Sequence, residues 1–227
     1  MYHKVSPNHS EGLTISVDKL EEQFKFLAEN GFSTYHFSDL ILLRKLNSPK
    51  NIVITFDDAY VNQLELAYPL MKKYGLKATF FVPLNYVGKT DEWNSPSEAI
   101  MTAEQLSSLD PKTIELGYHS YAHQKYTEMT SEEIEEDTRR AFSTAEEKAL
   151  PLGPILAYPY GKFPRKNPEK EEFIKHLEKE QFSFGLRIGN RVNTFPFKKP
   201  YEVQRLDVKG EFSLKKFRRK IKYGKLL

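Results

Sequence analysis

Runs of β-branched and aromatic residues alternate with helix-length segments along the chain, and that alternation leaves few folds open. Asn51 to Phe56 (NIVITF) is a continuous apolar run, as a parallel strand buried on both faces requires. Further strands are expected at KATFFV, Thr113 to Tyr118, ILAYPY, FSFGLRI and EVQRLDV. Between them the spacing predicts helices. The first is capped by Ser16, carries Leu20, Phe24 and Leu27 on one stripe, and stops at Gly31. A short helix fits Ser38 to Leu46, another ends at Tyr74 before Gly75, and one lies around Thr102 to Leu109. A long helix opens at Thr130 with Glu133 completing a capping box, a charged one fits Pro168 to Glu180, and a basic one closes the chain. Strands and helices in this order imply a parallel α/β sheet, open or closed into a barrel.

No repeat, low-complexity tract or long linker divides the 227 residues, so a single domain over 1–227 is expected. A hydrophobic content of 39% with 13% aromatics excludes a disordered chain. The formal charge of +3 gives no case for nucleic-acid binding. Without cysteine there are no thiolate ligands, so a metal has to be held by His, Asp or Glu. MYHKVSPNHS has no apolar core of a signal peptide and no run suits a membrane span, so the chain as written is expected in the cytoplasm. Met1 to Val5, however, reads as the inner part of a strand whose start is missing, which would fit an exported protein trimmed of its leader.

In parallel α/β folds the reactive residues gather at the C-terminal ends of the strands. Three polar clusters fall there: Asp57 and Asp58, His119 and His123, and Tyr158, Pro159 and Tyr160. Two adjacent carboxylates leaving a buried strand repel each other, and a cation would relieve that. An isolated pair is equally served by one helix cap and one solvated carboxylate. At i and i+4, His119 and His123 would project from one face of a helical turn and could grip one ion, although such spacing also arises by chance. Two imidazoles and one carboxylate form a common catalytic zinc set.

Thr55-Phe56-Asp57-Asp58, His119-Ser120-x-x-His123 and Tyr158-Pro159-Tyr160-Gly161 together resemble the polysaccharide deacetylases with the NodB-type domain, carbohydrate esterase family four. The opening Met1-Tyr2-His3-Lys4-Val5 and the helix end Asn30-Gly31-Phe32 are similar to the branch of poly-N-acetylglucosamine deacetylases. The resemblance implies a distorted TIM-like (β/α) barrel and a metal-dependent hydrolase that removes N-acetyl groups from N-acetylhexosamine units of a glycan. It implies Asp58, His119 and His123 as ligands of a divalent ion, zinc being the expected species, and Asp57 as general base. It further implies the backbone N–H of Tyr160 at the oxyanion, and His3 in place of the family's late leucine-x-histidine acid, which is missing.

His3 could equally be a histidine in a frayed terminus. The only histidine after His123 is His176, which reads as an exposed helical position. Ala157 stands near where many relatives carry an arginine that orients the base, and Arg205 could supply that charge or be a structural ion-pair partner. Tyr158, Pro159, Tyr160, Trp93 and Arg205 are the candidate substrate contacts, with Trp93 on a polar segment from Asn85 to Pro96 that could face a sugar or simply anchor a surface loop. FSLKKFRRKIKYGKLL reads as a closing helix with a solvated face, or as a peripheral contact with anionic lipid or polymer. A glycan-binding module with little activity is the alternative that Ala157 and the position of His3 leave open. A metal pair of a nucleotide-sugar transferase ranks last, because it leaves both histidines unexplained and no glycine-rich phosphate loop is present.

Overall fold

A computed structural model describes residues 1–46, 48–95 and 97–225. Asn47, Pro96, Leu226 and Leu227 lie outside the described residues, so the end of the Asn85–Pro96 segment and the last two residues of the basic tail do too. The elements are β1 (Lys4–Ser6), β2 (Thr14–Ser16), α1 (Val17–Glu29), β3 (Ser33–Thr34), α2 (Phe37–Leu42), β4 (Asn51–Ile52) and β5 (Ile54–Phe56). There follow α3 (Tyr68–Tyr74), β6 (Ala78–Val82), α4 (Ala103–Ser107), β7 (Ile114–Tyr118), α5 (Ser131–Glu147) and β8 (Leu152–Ala157). The chain closes with α6 (Glu169–Lys179), β9 (Phe184–Ile188), β10 (Val203–Arg205) and α7 (Leu214–Tyr223).

The main sheet is wholly parallel, in the order β10-β9-β8-β7-β6-β5. It curls into a TIM-like half-barrel with helices around it. Side chains alternate along its strands. One face carries Phe81, Ile155, Ala157, Leu186 and Val203, and the other packs Phe56 and Phe80 against Leu20, Phe24 and Leu27 of α1. The gap between β5 and β10 is bridged at the strand ends by the first two residues. Tyr2 N–H donates to Thr55 O and Asp57 N–H to Tyr2 O, while Val208 N–H on the far side donates to Met1 O. This pairing holds His3 beside the strand ends, so the frayed-terminus reading fails.

Several expected elements shift for identifiable reasons. NIVITF is two strands rather than one, because β4 pairs with β3 whereas β5 pairs with β6. The expected Ser38–Leu46 helix starts one residue early and ends at Leu42: the Glu115 carboxylate accepts the N–H groups of Phe37 and Ser38, and His36 with Asp39 forms the capping box. ILAYPY starts earlier and leaves the sheet at Ala157, continuing as a single turn through Tyr160. His176 is buried rather than exposed, with Nε2 2.9 Å from Thr138 Oγ1 of α5, and burial lowers its pKa. Thr130 and Glu133 form the expected capping box at α5.

Candidate active site

β5 delivers Asp57 and Asp58, β7 delivers His119 and the loop to His123, and β10 ends on Arg205. In a continuing strand, neighbouring carboxylates would point to opposite faces. Here Asp58 and Ala59 adopt left-handed backbone, with φ of 73° and 52°, and both Asp57 and Asp58 line one cavity of about 370 Å³. Such a conformation costs a non-glycine residue about 1–3 kcal/mol and persists only where the surroundings enforce it.

The two histidines converge without the helical turn that their spacing suggested. Ser120 and His123 are themselves left-handed, at φ of 62° and 54°. Side chains fasten the loop instead: Asp137 of α5 accepts the N–H groups of Tyr121 (2.9 Å) and Ala122 (3.0 Å), and Ser120 Oγ accepts that of His123 (2.9 Å). Sequence reasoning missed Asp137. Its signal was there, since it sits between Ile134 and Ala141 on the buried stripe of an otherwise acidic helix.

Asp58 Oδ1 lies 3.4 Å from His119 Nε2 and 3.2 Å from His123 Nε2, yet it accepts no hydrogen bond. One donor atom from each of the three buried residues lies within 4.8 Å of the others. A tetrahedral site with ligands about 2.0–2.2 Å from the ion has edges of roughly 3.3–3.6 Å. The 3.4 Å separation falls among such edges and the 3.2 Å one lies just below them, and the orphaned carboxylate oxygen has the lone pair such an ion needs, so these residues fit a divalent metal. Burial alone would raise the Asp58 pKa, but the two imidazoles outweigh it and hold the carboxyl well below the usual range. His119 Nδ1 is 2.7 Å from Ala157 O, which fixes that ring.

Asp57 is engaged differently. Arg205 Nη1 donates to its Oδ1 at 2.5 Å and Nη2 to its Oδ2 at 2.8 Å, a two-point clamp from 148 residues away. Burial pushes the Asp57 pKa up, and the Arg205 guanidinium, with His119 and His3, brings it below the ordinary carboxylate value. His3 Nε2 stands 3.6 Å from Asp57 Oδ2. Gln63, on the wide helical turn before α3, donates through Nε2 to the carbonyls of both Asp57 (2.6 Å) and His3 (2.9 Å). It was not singled out from the sequence, although its spacing to Ala67 and Met71 puts it on their buried stripe.

The remaining candidates divide. Tyr160 is left-handed (φ 57°), 44% exposed, and its ring lies 4.9 Å from that of His123. Trp93 stacks on His123 at 3.9 Å and 23°. Tyr158 and Pro159 are not in the cleft: both are buried, and Tyr158 Oη donates to Tyr201 O inside an aromatic cluster with Tyr126, Phe163 and Phe173. Arg205 is 6% exposed with both Nη atoms on Asp57, so it sits behind the base rather than in contact with substrate. His36 is buried with Nε2 3.1 Å from Thr113 O, and His9 is on the surface.

Among known proteins, the family described as polysaccharide deacetylase matches residues 44–184, which include Asp57, Asp58, His119, His123 and Tyr160 but neither His3 nor Arg205. YxkH of Bacillus subtilis (strain 168), itself assigned to the polysaccharide deacetylases, is 27% identical over 189 residues, or 82% of this chain. The match covers 62% of YxkH, so the chain spans less than two thirds of that relative. IcaB from Ammonifex degensii superposes with a TM-score of 0.77 at 22% identity, covering 97% of this chain and 94% of its own. The Streptococcus pyogenes deacetylase PplD, solved in complex with acetate, gives 0.76 at 17% identity, covering 97% and 96%. At such identities the likeness concerns the fold, which is shared along nearly the whole chain.

Proposed function

The chain belongs to the polysaccharide deacetylase family, and on that premise we propose that residues 1–227 act as one catalytic unit that hydrolyses N-acetyl groups of N-acetylhexosamine residues in a polymer, oligosaccharide or lipid-linked glycan. The observation that carries this reading is the division of labour between the two aspartates: Asp58 faces two imidazole nitrogens, while Asp57 faces Arg205 and His3. A divalent ion on Asp58, His119 and His123, zinc by the donor set, would act as a Lewis acid that lowers the pKa of water from about 15.7 towards about 7.

Asp57 is free to take the proton of the attacking water because it is not a ligand, and Arg205 keeps both its oxygens ionised and aimed. The new C–O bond forms at the acetamide carbonyl, whose developing negative charge meets the Tyr160 backbone N–H. As the C–N bond breaks, the leaving nitrogen needs a proton. His3, with Nε2 3.6 Å from Asp57 Oδ2, is the group to deliver it, passing to the leaving nitrogen the proton that Asp57 has taken from the water. Acetate and the free amine are the products. The grounds for a binding-only module weaken, since Arg205 occupies the role left vacant by Ala157 and His3 is anchored. Peripheral contact of α7 with anionic lipid or polymer remains a proposal; no helix among the described residues is long and apolar enough to cross a membrane.

Acetate release from N-acetylglucosamine oligomers, with O-acetylated oligomers in parallel, tests the reading. We expect release from the N-acetylated series, loss after chelation, and recovery on adding zinc. Release that persists undiminished through chelation, or that comes from the O-acetylated series alone, would refute it.

A further inference from the structure

The two histidines of the trio are supported unequally. His119 has its outer nitrogen on the Ala157 carbonyl, whereas His123 Nδ1 is buried and has no hydrogen-bond partner among the described residues. Imidazoles that bind metals almost always fix their outer N–H on a carbonyl or carboxylate, because that bond sets tautomer and ring orientation. His123 lacks it and is held by aromatic faces instead. The indole of Trp93 lies parallel to it at 3.9 Å and 23°, and the Tyr160 ring closes the other approach at 4.9 Å and 56°.

Trp93 is in turn fixed from below. Its loop is closed by the antiparallel bridge between Thr90 and Ala99 and is tied to the segment after Asp58 through Met101 N–H on Ala59 O and Val61 N–H on Ala99 O. At the neck of that loop Asp91 is fully buried. Its carboxylate accepts from Tyr60 Oη (2.7 Å), Asn94 Nδ2 (2.6 Å) and the N–H of Glu98, and Lys4 Nζ stands 3.4 Å away. Trp93 lies in the turn from Asp91 to Asn94, closed by Asn94 N–H on Asp91 O, and the Asp91 carboxylate ties the residue after Trp93, and the returning strand at Glu98, back to the start of that turn. The edge of Tyr86 at 4.8 Å and 82° sets the tilt of the indole.

We propose that Trp93 is a positioning residue for the metal ligand His123, substituting an aromatic stack for the missing hydrogen bond, and that Asp91 keeps it in place. This rests on the reading that Asp58, His119 and His123 bind a divalent ion. It departs from a plain sugar platform, because the face of Trp93 that packs on His123 is not available to a pyranose ring.

Trp93 is the single tryptophan of the chain and so reports on itself. Zinc affinity of the full chain, measured by competition with a chromophoric chelator, should fall about 10- to 100-fold in Trp93→Ala, the loss seen when an outer partner of a metal ligand is removed. Trp93→Phe should restore most of it by keeping a ring on His123. Asp91→Asn should red-shift the tryptophan emission of the metal-free protein and remove the change in emission that zinc causes in the unaltered chain. Circular dichroism identifies any variant that fails to fold, and Trp93→Phe then carries the comparison. Unchanged zinc affinity in a folded Trp93→Ala protein, with only KM for the glycan raised, would overturn the proposal and return Trp93 to substrate contact. If the unaltered chain binds no zinc, the metal reading itself fails, a result distinct from the first.

Discussion

Asp57→Asn is expected to lower acetate release about 10²- to 10⁴-fold, the range for loss of a general base, while zinc binding stays within a few-fold of the parent. Asparagine keeps the shape and one acceptor for Arg205 but cannot take the proton of water. The three candidate ligands are untouched by the change, because Asp57 lies outside their set. Activity and metal content should therefore separate. Loss of both together would mean that Asp57 is a ligand after all, and retained activity would assign the base elsewhere.

Arg205→Met should have the largest effect on stability. Asp57 and Arg205 are 2% and 6% exposed, and truncating Arg205 leaves the Asp57 charge buried with only the rings of His3 and His119 near it. Breaking a buried pair in this way costs about 3–5 kcal/mol, read as a lowered denaturation midpoint in urea with an unchanged slope. Activity should fall as well, since nothing else among the described residues clamps both oxygens of Asp57. The double variant Asp57→Asn with Arg205→Met removes the orphaned charge and should be more stable than the sum of the two single losses implies. Strict additivity would show that the pair is not coupled.

The strand-end position of the site was legible because it follows from topology. Once NIVITF and Thr113 to Tyr118 are parallel strands, Asp57, Asp58 and His119 must share an end of the sheet. The capping signals at Thr130 and Glu133 were equally local and equally readable. The loop that carries His123 was not. Its shape depends on left-handed Ser120 and His123, residue types that announce nothing, and on an aspartate 14 positions on from His123 whose place on the buried stripe of α5 does not tell which loop it fastens. His176 was misread for a related reason, since its helix is charged and only packing against Thr138 shows which face is covered. The Arg205 clamp could be guessed as a charge source but not as a two-point contact, because pairing over such separation is set by how the half-barrel curls. Tyr158 shows the reverse error: a motif residue next to the cleft can have its ring on the other side of the backbone.

Everything proposed for the cleft requires Asp58, His119 and His123 to bind one divalent ion beside an Asp57 that does not. Anomalous diffraction at the zinc edge from crystals of zinc-loaded protein tests it most directly. A single strong peak is expected about 2.0–2.2 Å from Asp58 Oδ1, His119 Nε2 and His123 Nε2, with Asp57 still on Arg205. A peak at another group of residues, or none at this trio in protein that carries stoichiometric zinc, would contradict it.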